Sequence, residues 1–206
     1  KALIFTSSRE GNIGKYHPKG VEFHGDWHGN QDIYVSILGD GVWSEPINLG
    51  STINTPFAEA SPFLHPDGVT LYFSSDGHAG MGRLDVFKAR RKNRQTWTEW
   101  EQPMNLGKEI NSSGNNFGYF LSPDGEIAYY TDESTKFFGG KHSDIFMRTL
   151  PPEAKPDPVT QIEGEVQDQN GDPIPDVDVS IKDMENGEEL ARTKTDEDGK
   201  FKVIAP

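Results

Sequence analysis

Short runs of β-branched and aromatic residues alternate along the first 150 positions with clusters of glycine, proline, asparagine and aspartate. Thr70-Leu71-Tyr72-Phe73-Ser74 is the clearest run. The turn Pro66-Asp67-Gly68 precedes it and the Gly-rich loop 76–82 follows it, so it reads as a strand bounded by turn formers. Residues 84–89 read as the next strand, a shorter one lies near 97–100, and residues 60–65 supply a fourth. Downstream, residues 118–122, 127–131 and 144–147 give three more. Upstream, residues 3–8 and 32–35 match a second and a third strand.

The same run of residues occurs twice. Trp43-Ser44-Glu45-Pro46-Ile47-Asn48-Leu49-Gly50 returns 57 positions later as Trp100-Glu101-Gln102-Pro103-Met104-Asn105-Leu106-Gly107. Ile53-Asn54 returns as Ile110-Asn111, and Phe63-Leu64-His65-Pro66-Asp67-Gly68 as Phe120-Leu121-Ser122-Pro123-Asp124-Gly125. Without a gap, 12 of these 26 positions are identical. Such self-similarity marks one supersecondary unit used repeatedly, each copy burying a face it cannot bury alone. Four short antiparallel strands per unit predict the blade of a β-propeller. The first copy lacks its first strand and the last shows no fourth, so about three blades of a larger propeller are expected over residues 1–150, with further blades upstream. The first copy also carries an insertion of about residues 11–31 where the others have a short loop.

Residues 150–158 hold four of the 14 prolines, which predicts an extended, semi-rigid linker over 151–160. Beyond it, residues 162–166, 177–181, 189–193 and 201–204 alternate like strands between Asp- and Gly-containing turns. A small, incomplete β-sandwich over 161–206 follows from that pattern. The expected fold is therefore all-β throughout.

These motifs carry a resemblance. Trp-x-x-Pro-x-Asn-Leu-Gly, Ile-Asn, Pro-Asp-Gly, an aromatic-rich strand, a Gly-rich loop and Asp-Ile/Val-aromatic, in that order, resemble the WD-like β-propeller repeats of bacterial envelope proteins. Gly164-Glu165-Val166, Gly171-Asp172-Pro173-Ile174-Pro175 and Thr195-Asp196-Glu197-Asp198-Gly199-Lys200-Phe201 resemble a carboxypeptidase-regulatory-like domain. The tandem is similar to the middle of OmpA-family envelope proteins of the Bacteroidetes type, one branch of which belongs to the type IX secretion machinery. The resemblance implies a periplasmic, outer-membrane-associated scaffold that contacts envelope proteins such as secretion-system subunits. It implies peptidoglycan binding only through a domain outside these residues. A glycan- or peptide-binding propeller is the alternative.

Composition narrows the chemistry. There is no cysteine, which excludes disulfides and thiolate catalysis. No run approaches the ~20 apolar residues of a membrane helix. The net charge is −13, of which residues 151–206 carry −9; a surface of that sign repels phosphate backbones and argues against nucleic-acid binding. Asp32, Asp85 and Asp144 each open a strand beside a turn, where a short carboxylate accepts backbone amides, and the Asp-Gly pairs supply turn geometry. Trp43 and Trp100 are expected to pack between blades. His17, His24, Asp26 and His28 fall within the insertion, but two glycines there deprive the four-residue His24/His28 spacing of helical meaning. The loops at 168–172 and 196–199 echo calcium loops but lack the glutamate that completes one. No nucleophile elbow, zincin or phosphate-loop motif occurs. No enzyme activity, cofactor or metal is expected. The insertion, with Phe23, Trp27 and His28, is the expected contact surface, since long loops on rigid scaffolds carry recognition.

Overall fold

The structure is a computed structural model and describes residues 1–14, 21–23, 26–28, 31–122, 124–133 and 143–205. Its strands, in chain order, are β1 (Ala2–Ser7), β2 (Val21–Phe23), β3 (Asp26–His28), β4 (Asp32–Gly39), β5 (Val42–Trp43), β6 (Ile47–Asn48), β7 (Glu59–Leu64), β8 (Thr70–Ser75), β9 (Asp85–Arg90), β10 (Met104–Asn105), β11 (Asn116–Leu121), β12 (Ile127–Asp132), β13 (Asp144–Thr149), β14 (Thr160–Glu165), β15 (Asp178–Lys182), β16 (Glu189–Lys194) and β17 (Lys200–Ala205). The protein is all-β, built from several small antiparallel sheets. Among the described residues no helix is long and apolar enough to cross a membrane. The chain divides into two compact units, Lys1–Pro156 and Asp157–Pro206.

Besides the two-stranded β2–β3 sheet, the first unit holds three sheets in succession. In the first, β4 pairs with β1, from Ala2↔Ile37 to Ser7↔Asp32, and with the short β5 and β6. The second runs in the order β10-β9-β8-β7, and the third β11-β12-β13. Strands β7, β8 and β10 reappear as β11, β12 and β6 at the 57-residue offset of the sequence repeat. Every residue of β8 is buried, because neighbouring sheets cover both of its faces; its sequence is accordingly a continuous apolar and small-polar run. One face of β8 joins Ile33, Val35, Leu49, Ile53, Phe87 and Trp100 in a core shared with the first sheet. The other, through Tyr72, joins Val86, Leu106, Tyr119, Leu121 and Tyr130 in a core shared with the third. Tyr72 and Tyr119 stack at 4.9 Å across that second interface. β12 has only one sheet beside it and buries Ala128 and Tyr130 in alternation.

The repeated Asn-Leu-Gly and Ile-Asn elements form the crossover between sheets. Asn111 lies beyond β10 but reaches back to β9, where its Oδ1 accepts the Val86 amide (2.7 Å) and its Nδ2 donates to the Val86 carbonyl (3.0 Å). The same Nδ2 donates to Asn105 Oδ1 (2.8 Å), which also accepts the Gly107 amide (2.8 Å). Asn54 does the same one repeat earlier, to Ile33 (2.7 and 3.0 Å) and Asn48 (2.8 Å). Gly50 and Gly107 sit at φ 84° and 72°, a conformation only glycine adopts at little cost. The first strand of the next sheet then starts bonded to the previous one: the Glu59 amide donates to Gln31 O (2.8 Å) and the Asn116 amide to Leu84 O (2.6 Å).

A bulge also recurs. The β7–β8 register shifts between Ala60 and Phe63, and the β11–β12 register between Phe117 and Phe120. The bulged residues are Ser61 (φ 49°) and Gly118 (φ 64°), equivalent positions that both need positive φ.

The segment expected as an extended linker behaves differently through Pro156. Pro152–Ala154 is a 3-10 turn, with the Ala154 amide on Pro151 O (3.0 Å). Ala154 and Leu150 are buried in the core between the second and third sheets. The turn directs carbonyls inward, where Ala154 O accepts the Tyr72 hydroxyl (2.7 Å) and Glu153 O accepts Lys88 Nζ (3.1 Å). Prolines here preset φ for a tight turn that plugs an interface.

In the second unit β14 pairs with β17 and β15 with β16. Among its described residues Val203, Ala205 and Thr195 are the buried side chains, a small core for ~50 residues.

Two outcomes follow. Asn111→Ala leaves the Val86 amide buried without an acceptor and is expected to cost ~2–3 kcal/mol; urea titration of the 206-residue chain checks it, and a loss below ~0.5 kcal/mol contradicts the clamp. Relief of the strained backbone at Ser61 makes Ser61→Gly neutral or stabilising by up to ~1 kcal/mol, whereas Gly118→Ala costs ~1 kcal/mol or more; thermal unfolding should move in opposite directions for the two.

Candidate functional site

In the first two sheets the long strand β4 or β9 begins at the foot of a loop, and an aspartate there holds the loop down. Asp32 opens β4 fully buried, and its Oδ2 accepts the Ile13 amide (2.7 Å) and Asn48 Nδ2 (2.7 Å). The Tyr34 hydroxyl donates to Asn12 Oδ1 (2.7 Å), and Asn12 Nδ2 donates to Ser7 O (3.1 Å). The start of the insertion is thereby fastened to the first sheet. Asp85 is also fully buried, and its Oδ2 accepts the Met81 and Gly82 amides of the shorter loop above β9. Asp144, the third member, is exposed at the start of β13.

The insertion itself contains a hairpin. β2 pairs with β3 in the register Val21↔His28, Glu22↔Trp27 and Phe23↔Asp26. Phe23, Trp27 and His28 thus share one two-stranded ribbon, four, five or fewer positions apart along the chain. Their side chains, together with His17 and His24, lie outside the described residues. Among the described residues, no three His, Cys, Asp or Glu side chains gather at metal-binding distance.

Beside Asp32 lies an acid that the sequence reading did not single out. Glu59, the first residue of β7, is fully buried; its Oε2 accepts the Thr55 amide (2.7 Å), and its Oε1 the Thr55 (2.7 Å) and Ser75 (2.7 Å) hydroxyls. Burial is the main influence on its carboxyl and, with the nearby Asp32 charge, outweighs these bonds, so its pKa is pushed up to about 7. Burial also raises that of Asp32. One repeat later Asn116 stands where Glu59 stands, and its Oδ1 accepts the Ser112 amide (2.8 Å) as Glu59 accepts that of Thr55. The neutral amide at the equivalent position shows that this buried place takes an uncharged group, in keeping with the raised pKa of Glu59.

The Asp-Gly turns are structural. Asp67 Oδ1 accepts the Val69 (2.9 Å) and Thr70 (2.8 Å) amides and Oδ2 the Thr70 hydroxyl (2.6 Å). Burial alone would raise its pKa, but the His65 imidazole, the Thr70 hydroxyl and the two amides together bring it down to about 2. Asp168 and Asp196 in the second unit likewise accept amides of their own turns, from Asn170 (2.8 Å) and Asp172 (2.9 Å), and from Asp198 (3.0 Å) and Lys200 (2.9 Å). Arg91 is buried with no sequence motif to announce it; it donates to the carbonyls of Gly68, Arg94 and Thr96 and lies 3.7 Å over the Trp97 ring.

The tryptophans part company. Trp100 is buried against the first sheet, with Nε1 donating to Trp97 O (2.7 Å), whereas Trp43 is half-exposed. Packing between sheets, expected of both, holds for Trp100 alone, because it needs a sheet on the upstream side.

No protein-family model matches the chain, and no curated protein or solved structure is significantly similar to it.

The two buried acids act in opposite pH ranges. Glu59 binds its proton more tightly folded than unfolded, so the stability it contributes is present below about pH 4.5 and is lost as pH rises through about 7. Asp67 binds its proton less tightly when folded, so its contribution is present above pH 3.8 and is lost as pH falls toward about 2. The thermal midpoint should therefore peak near pH 4–5 and decline toward pH 8, by at most ~3 kcal/mol from Glu59. Glu59→Gln should flatten the neutral limb and leave the acid limb; an unchanged slope between pH 5 and 8 contradicts this account.

Proposed function

We propose that residues 1–156 are a three-blade segment of a larger β-propeller and residues 157–206 a small carboxypeptidase-regulatory-like β-sandwich. Together they serve as a non-catalytic scaffold in the cell envelope, periplasmic and associated with the outer membrane, after the manner of OmpA-family proteins. The insertion is the contact surface, with Phe23, Trp27 and His28 as its recognition residues and envelope proteins, including secretion-system subunits, as partners. Any attachment to peptidoglycan runs through a separate domain.

The observation that carries this reading is the use made of the recurring polar residues. In the first two repeats the buried aspartate of each unit accepts backbone amides of a loop and the buried asparagine accepts a strand amide from its crossover, which is how a frame is built rather than how a reaction is run. Asp32 fastens the start of the insertion, at Ile13, to a sheet whose core is fully buried, which gives the insertion a rigid base. A net charge of −13 favours partners that present positive charge.

The test compares the immobilised 206-residue chain with a variant lacking residues 12–30, each exposed to solubilised envelope proteins. The intact chain is expected to retain a defined set that includes secretion-system subunits, and the variant to lose it. An identical retained set removes the insertion as the contact surface, and hydrolytic turnover by the purified chain removes the scaffold reading.

A further inference from the structure

The loop between β8 and β9 is short, yet it touches three separate parts of the first unit. Its glycines mark the contacts, because each sits where a side chain does not fit. A Cβ on Gly77 would collide with the Thr55 side chain of the preceding crossover, and one on Gly80 with the Asp85 carboxylate. One on Gly82 would meet the Ser112 and Gly114 carbonyls of the following crossover. Hydrogen bonds run along the same path. The Asp76 amide donates to Ala58 O (3.0 Å), His78 Nε2 to Ile53 O (2.9 Å) and the Arg83 amide to Gly114 O (3.0 Å). The His78 ring packs edge-on against Phe73 and tilted against Phe87. The loop is a strap across the end of the second sheet, tied to the crossovers on both sides.

Glu59 lies beneath this strap. Ser75 Oγ, which donates to its carboxyl, accepts the Gly77 (3.0 Å) and His78 (3.2 Å) amides on its other side. Thr55 Oγ1, the other hydroxyl donor, is the atom that Gly77 closes over. Closure of the strap therefore helps to strip water from the carboxyl. The titratable groups on the elements around it are Asp32 at the start of β4, Asp76 and His78 on the strap, and Asp85, which pairs with Ser75 at the start of β9. β1 and the crossover 53–57 carry none.

We propose that residues 76–82 form a lid over Glu59, closed while its carboxyl holds a proton and released as it ionises. A carboxylate costs more to bury than a carboxylic acid, and lifting the lid returns it to water, so the open form binds the proton less tightly. Below about pH 4.5, the value for a solvated glutamate, both forms carry the proton and the contacts of the strap keep it shut. Between there and about pH 7 only the closed form carries it, so opening gains steadily as pH rises. The gain is complete above that range and amounts to at most ~300-fold in the opening equilibrium. Opening the lid breaks far fewer contacts than unfolding the sheet, which makes it the cheaper way to solvate the group. The strap is held at the start of β9 as the insertion is held at the start of β4, so the titration acts at the end of the sheets where the insertion is rooted.

Amide hydrogen exchange of the 206-residue chain, followed by NMR from pH 5 to 8 and corrected for intrinsic rates, tests the lid. The opening constants of the Gly77 and His78 amides are expected to rise at least ~10-fold across that range. At every pH they should exceed those of Val69 and Thr70, whose amides are bonded to Asp67 at the other end of β8. Glu59→Gln should abolish the rise. Gly77→Ala should hold the strap open, so that its amides exchange as readily at pH 5 as at pH 8 while circular dichroism stays unchanged; this variant decides the matter if Glu59→Gln does not fold. Strap protection that is independent of pH in the wild type overturns the proposal. So do opening constants no larger than those of Val69 and Thr70, since the strap then opens only by unfolding. A rise that persists in Glu59→Gln assigns the titration to another group, His78 foremost, and full protection in Gly77→Ala removes the closure; either result also overturns it.

Discussion

The side-chain amides of Asn54 and Asn111 decide whether the first unit holds together. At each crossover the chain leaves one sheet at β6 or β10 and enters the next at β7 or β11, and the asparagine between them is buried. Backbone groups buried there need partners, and no strand is adjacent to supply them. The asparagine solves this by presenting its acceptor and one donor to a strand residue already passed, Ile33 or Val86, and its other donor to Asn48 or Asn105, so that a side chain stands in for a missing strand. Glutamine has the same groups on a longer stem, and aspartate lacks the donors. Leu49, Ile53, Leu106 and Ile110, which fill the two cores, are placed by the same turns.

The polar interior built on these clamps is conserved in geometry but not in chemistry between the two interfaces. Glu59 at one is replaced by Asn116 at the other, and each accepts the amide four residues before it. Asp32 binds Asn48 Nδ2, whereas Asn105 Nδ2 has no partner, and neither do Asn116 Nδ2 and one oxygen each of Asp32 and Asp85. Such groups are costly to bury and are tolerated where a rigid frame is needed to aim loops. The frame and the loops are thus coupled: the carboxylate that raises the electrostatic cost of the first interface is the one that roots the insertion.

Much of the architecture was legible in the residues themselves. The 57-residue repeat carries over to strands and crossovers, because the shared Asn-Leu-Gly and Ile-Asn elements make the same bonds in both copies. Turn-forming Asp-Gly pairs and the aspartate opening β9 act locally, through amides a few residues away, and local chemistry is readable from local sequence, whereas Asp32 reaches Ile13 across the insertion. The insertion was visible as an interruption, and its hairpin is consistent with a run of strand formers between glycines.

What the residues alone did not reveal depends on what lies across an interface. Trp43 and Trp100 are the same residue in the same motif, yet one is buried and the other half-exposed, since burial is decided by a neighbouring sheet and not by the strand that carries the side chain. The Pro-rich stretch looks like a linker by composition; it docks through Pro156 because Tyr72 and Lys88, distant in sequence, supply donors for its carbonyls. Glu59 looks like an ordinary acidic residue until Thr55, Ser75 and Asp32 close around it. Sequence by itself determined the strands, the turns and their repetition, which arise from short-range backbone and side-chain preferences; tertiary structure alone decided exposure and protonation, which arise from desolvation by groups far away along the chain.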